Sequence, residues 1–399
     1  MSLVLFNASL YIVYLLYYHS KHKNFNYYSL VLLIYTATAC ICAYNFTVTT
    51  RTWTDLSIFP FIYLFGILLL FMHPLKDFEF SNLNISIDNN RYIRFFGTLY
   101  LVVGLINIGL SIKNTTELIN SGDWATIYND FYEDEENYQL YDSTFQKLVK
   151  NLTSYLSPFA YIYLFYLLTR EKLSTIYITL FTISTIAPAF ISASTVASRG
   201  MLMFVAVKLA ISYILFREKI PSNRKKVIAI VASGIFGVFL LYIIAVTLSR
   251  FGEDDSTKSI VDYFGHSMLS FNDGIFNNLH EYAWGKRFFK WFIDFFGGNS
   301  YFNIAKAGAT HGNAFFTFVG GVYIDWGPIG TIVAGFIVCQ FINRFFHRQT
   351  LHLSDCIIIV FYVDFLANGI YAYMSGRALL WAMTFFLYLI IKKIETRND

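Results

Sequence analysis

Apolar and polar positions along the chain separate into long apolar blocks joined by mostly short polar ones. A helix crossing a hydrocarbon core needs roughly 20 apolar residues, and roughly 17 suffice. Eleven blocks reach or approach that length: 3–18, 28–46, 56–73, 93–112, 153–169, 174–192, 201–216, 226–248, 325–345, 354–373 and 378–391. The pattern predicts an all-α polytopic membrane protein with about eleven transmembrane helices, forming one integral membrane domain over residues 1–399. Composition agrees, since 14% of residues are charged against about 25% in soluble domains.

Charge then orients the helices. Lys and Arg collect in short cytoplasmic loops, and an N-terminus-outside arrangement puts 17 of the 30 basic residues inside. The expected topology is N-out and C-in. The first block has no basic residue before it and is followed by Lys21 and Lys23, the reverse of a signal peptide's order, so it is expected to be retained. A net charge of +4 with no basic stripe excludes nucleic acid as a partner. Cys40, Cys42, Cys339 and Cys356 all fall in apolar stretches, and the single C-x-C pair lacks the second pair a zinc site needs. No metal or cofactor is expected. Phosphate-loop, metalloprotease, nucleophile-elbow and dinucleotide motifs are missing as well, which points to a substrate that arrives already activated.

Both long loops fall outside. Residues 113–150 hold eight acids against three lysines, a solvated surface that would repel phosphate and is assigned to a lid or outer wall. Residues 249–313 contain "EYAWGKRFFKWFIDFFGG", in which eight of the fifteen residues from Tyr282 to Phe296 are aromatic and Lys286, Arg287 and Lys290 interrupt them. This reads as an amphipathic helix in the membrane interface. Its functional reading is a groove for glycan or lipid, with Trp284, Arg287 and Trp291 on its wall. No internal repeat suggests a transporter built from two halves.

Three arginines share a setting at the outer ends of spans: Arg199 in "ASRG", Arg250 in "LSRF" and Arg377 in "MSGRAL". The guanidinium fork matches phosphate oxygens, so convergence of the three would make a diphosphate clamp; singly, each could instead snorkel to lipid headgroups. His266, His280 and His311 are the histidines left for outer chemistry, and imidazole titrates near neutrality, which suits a general base. Asp325 is an acid at membrane depth and needs a cationic partner, for which one of the three arginines is the expected candidate. Tyr323 and Asp325 lie in a glycine-broken stretch that could be re-entrant or kinked.

Two segments, "STVASRG" (Ser194–Gly200) and "NAFFTFVGGVYIDWGPIG" (Asn313–Gly330), together with the layout of spans and loops, resemble the O-antigen and capsule polymerases of the Wzy type, the oligosaccharide repeat unit polymerases. The resemblance implies a GT-C-like architecture in the bacterial cytoplasmic membrane. It also implies transfer of a glycan from undecaprenyl diphosphate to an incoming lipid-linked repeat unit at the outer face. Arg199, Arg250 and Arg377 would then hold the diphosphate, His311 would be the base, and Tyr323 and Asp325 would orient groups near it. Trp284, Arg287, Trp291 and Asn313 would guide glycan or lipid. A chain-length regulator and a flippase of the same pathway are the implied partners, besides membrane lipid. An O-antigen ligase, which moves finished chains to a lipid A core, is the nearest alternative. A transporter of lipid-linked sugars is a further one, disfavoured because, apart from Lys208, most spans lack charged or polar residues at mid-membrane depth.

Overall fold

Each of the eleven apolar blocks holds a helix in the computed structural model, which describes residues 1–49, 52–78, 80, 84–85, 91–133, 143–170, 174–310, 315–371 and 376–396. Among the described residues, nine helices are long and apolar enough to cross a membrane, so the chain is an all-α polytopic membrane protein. The helices at 153–169 and 378–391 are outside that nine. Tyrosines and hydroxyl side chains dilute the first, and the second is bounded by Arg377 and by Lys392 and Lys393.

The helices in chain order are α1 (Ser2–Lys21), α2 (Tyr27–Val48), α3 (Ile58–Met72), α4 (Arg91–Ser121), α5 (Trp124–Glu133), α6 (Thr144–Thr169) and α7 (Thr175–Ser194). Then follow α8 (Arg199–Phe216), α9 (Ser222–Gly265), α10 (Ser267–Leu269), α11 (Lys290–Phe295), α12 (Thr317–Phe346), α13 (Leu353–Ala367) and α14 (Arg377–Glu395). Two two-residue strands, β1 (Asn84–Ile85) and β2 (Thr350–Leu351), pair in parallel. The chain folds as two compact units: Met1–Asn82 with Thr257–Gln349 and Tyr362–Met383, and Leu83–Ser256 with Thr350–Phe361 and Thr384–Asp399.

In the first unit, α1 and α2 form a hairpin. Asn26 caps α2 by accepting the Ser29 N–H at 2.9 Å, and its amide donates to the Tyr18 hydroxyl at 3.0 Å. Helix α12 packs on α3 and breaks at Gly327, whose φ of 69° is open to glycine at little steric cost. The ring of Tyr282 lies against that glycine, and Pro328 follows it. The break is the kink expected of the stretch around Asp325.

In the second unit, α4 crosses α6 and α7 at small residues. Gly97 sits under the Tyr163 ring, and a Cβ on Gly104 would lie 2.8 Å from the Ser184 carbonyl oxygen. Backbone cannot yield as a flexible side chain can. Gly104→Val is therefore expected to destabilise the protein by about 1–3 kcal/mol, seen as a lower melting temperature in detergent; an unchanged melting curve would refute this crossing. At the far end of the chain Glu395 accepts the Ser354 N–H and, at 2.5 Å, its hydroxyl, which ties the end of α14 to the start of α13.

The loops differ from expectation in local structure. Helix α4 continues to Ser121 and α5 follows, so 113–150 begins and ends as helix, while residues 134–142 are outside the described residues. Helix α9 runs past a break at Gly252 to Gly265. The expected amphipathic helix over 282–296 shrinks to the six residues of α11, because Trp284 and Gly285 both have positive φ (52° and 82°).

Candidate functional site

The predicted site residues gather in two places, one in each unit. In the second unit, α7 ends in a turn where Ala197 takes a left-handed φ of 47° and the Ser198 N–H reaches back to the Ala193 carbonyl at 2.9 Å. The turn restarts the chain as α8 with Arg199 in the first helical position. A cation there opposes the helix dipole, whereas an anion would be favoured. Arg199 is nonetheless 8% exposed, with one guanidinium nitrogen donating to the Thr247 hydroxyl at 3.0 Å and its carbon 5.3 Å from the centre of the Phe251 ring.

Arg250 meets that ring as well. Its guanidinium carbon is 5.0 Å from the Phe251 centroid and 3.3 Å from that of Tyr128 on α5. Gly252, with a φ of 70°, breaks α9 just beyond this point. Both guanidinium groups thus lie within 5.3 Å of the centre of one ring, and a guanidinium fork matches the oxygens of a phosphate. The wall behind them is apolar: Trp124 and Ile127 of α5 are buried with Ala193, Ala197, Leu202, Tyr242 and Val246.

The first unit collects most of the other predicted residues. Asp325 is fully buried, and its two carboxylate oxygens accept the backbone N–H groups of Arg287 and Phe288, each at 3.1 Å. The Ala283 N–H bonds the Ile324 carbonyl at 2.9 Å. On the other side of the loop, Gly376 and Ala378 donate to the carbonyls of Arg287 and Phe288 at 2.7 and 3.1 Å. The cationic partner of Asp325 is thus Arg287. This corrects the expectation that Arg199, Arg250 or Arg377 would fill that place: a carboxylate that binds the loop's own amides draws in the arginine that the loop carries. Arg377 has the Asp364 carboxylate as its electrostatic neighbour. Trp291 lies so close to Gly376, whose φ is 70°, that a Cβ there would stand 2.6 Å from the indole nitrogen.

Tyr323 is buried in a ring cluster with Tyr63, Phe271, Phe276 and Tyr282, its hydroxyl-bearing ring 5.9 Å from that of Tyr282. Trp284 is 74% exposed at the rim of an open apolar pocket of about 470 Å³, lined also by Gly285, Phe289, Phe292, Ile293 and Phe296. His311 and Asn313 lie outside the described residues.

Several side chains at these places have partners that the sequence alone does not give. His266 is buried, and its Nε2 accepts the Phe315 N–H at 3.0 Å, so Nδ1 carries the proton and faces the carbonyl of Asp262 at 2.5 Å and its carboxylate at 3.6 Å. The i,i+4 spacing of Asp262 and His266 was the available signal. Asn272 and Asp273, in a π-helical turn over Ser270–Phe276, bind the backbone of Ser57 and Asp55. Tyr128 has no local signal, because only packing brings α5 to Arg250. Among the described residues no group of three His, Cys, Asp or Glu side chains could hold a metal.

The fold is that of an all-α polytopic membrane protein, and in its second unit two arginines meet one aromatic ring. No family model, curated protein or solved structure matches the chain.

Proposed function

We propose that the chain is a membrane glycosyltransferase that polymerises oligosaccharide repeat units carried on undecaprenyl diphosphate. The observation that supports this reading is the meeting of Arg199 and Arg250 on the Phe251 ring. In the proposed reaction an acceptor hydroxyl attacks the anomeric carbon, the bond from that carbon to the phosphate oxygen breaks, and the electron pair leaves with the lipid diphosphate. Charge therefore grows on the diphosphate, and fixed cations in a partly dry site stabilise it most. His311 is proposed to take the hydroxyl proton. The exposed aromatic pocket at Trp284 is proposed to receive glycan or lipid, and Asp325 to position that pocket's loop rather than to touch substrate. The proposed setting is the outer face of the bacterial cytoplasmic membrane, with the N-terminus out and the C-terminus in.

A gel of surface polysaccharide from a deletion strain tests the reading. The expected result is a core bearing a single repeat unit. Bare core would make the protein a ligase, and an ordinary ladder would refute both activities.

A further inference from the structure

Helix α5 belongs to the stretch set aside as a lid or outer wall, yet its side chains reach both arginines' surroundings. Gly122, with a φ of 65°, ends α4, and Asp123 starts α5 by accepting the Thr126 N–H and hydroxyl at 3.2 and 2.8 Å. Those bonds hold the Asp123 carboxyl below its ordinary range. Trp124 packs edge-on against Tyr242 at 5.3 Å, and Tyr242 donates to the Ala193 carbonyl at 3.0 Å, so α5 is fixed to the turn that leads into Arg199. One helical turn beyond Trp124, the ring of Tyr128 lies on the guanidinium of Arg250.

A guanidinium group donates in its own plane and presents π-faces above and below. Contacts from Tyr128 and Phe251 restrict how Arg250 can turn, and a ring 3.3 Å from its carbon occupies a face rather than the donor edge. We infer that Tyr128 is a positioning residue of the anion site, holding Arg250 so that its donor edge meets the oxyanion that Arg199 also binds. Helix α5 is then a working wall of the site. The inference rests on the arginine-pair reading above, although not on the glycosyl transfer itself.

The test uses the full chain in detergent with inorganic pyrophosphate as the probe, measured by calorimetry, and melting curves as a check on folding. Tyr128→Leu is expected to weaken binding about tenfold, the scale of a well-placed cation–π contact. Tyr128→Phe, which restores the ring, is expected to stay within about threefold of the original affinity. In an Arg250→Ala background Tyr128→Leu should change nothing further, because the residue acts through Arg250. An equal loss in both backgrounds, or undiminished binding by Tyr128→Leu, overturns the inference. Pyrophosphate binding that ignores Arg199→Ala and Arg250→Ala removes the anion site and this inference with it. Tyr128-dependent binding in a protein whose deletion leaves surface polysaccharide unchanged sinks the polymerase reading alone.

Discussion

Under the proposed function, Arg199→Ala is expected to lower polymerisation by about 100- to 1000-fold, the usual cost of removing one preorganised donor from a developing anion. Arg199 is the more buried of the two arginines, so water substitutes for it poorly. Folding should survive the change, because Thr247 keeps its own bond to the Ile243 carbonyl at 2.6 Å. Arg199→Lys keeps the charge and loses the fork, and should fall between the two. Rates of chain growth in proteoliposomes supplied with a lipid-linked repeat unit measure the effect, with chain length on a gel beside them. Chains of normal length from Arg199→Ala would end the clamp idea.

Asp325→Ala is expected to destabilise the protein by about 3–5 kcal/mol, since it strands a buried arginine charge and leaves the amides of Arg287 and Phe288 without their acceptor. The Trp284–Phe296 stretch should loosen first, because the carboxylate holds the backbone at its base. Asp325→Asn retains one acceptor oxygen and should cost less. Melting temperature together with protease cleavage between residues 282 and 298 reads both. A variant that melts normally but is inactive would assign Asp325 to the chemistry instead.

The helices and the kink in α12 are legible from the chain. The break at Gly327 and Pro328 was marked by the residues themselves, as was the placement of Arg199 at a helix start. Partnerships were not. Asp325 was assigned a distant arginine on charge alone, whereas its partner stands in the aromatic loop, 38 residues earlier, whose amides the same carboxylate binds. Tyr323 is expected near the chemistry, and the structure places its ring buried among Tyr63, Phe271, Phe276 and Tyr282, neighbours that no local pattern in the chain announces.

The sequence by itself determined that this is an all-α membrane protein: a helix satisfies its backbone hydrogen bonds locally, so an apolar block of sufficient length settles its own structure. Only the tertiary structure decided that Arg199 and Arg250 share the Phe251 ring, that Tyr128 covers a face of Arg250, and that Asp325 belongs to Arg287. Arg250 and Phe251 are neighbours, but the other contacts join residues far apart in the chain, and which side chains meet across that distance depends on how helices pack, which no local pattern encodes.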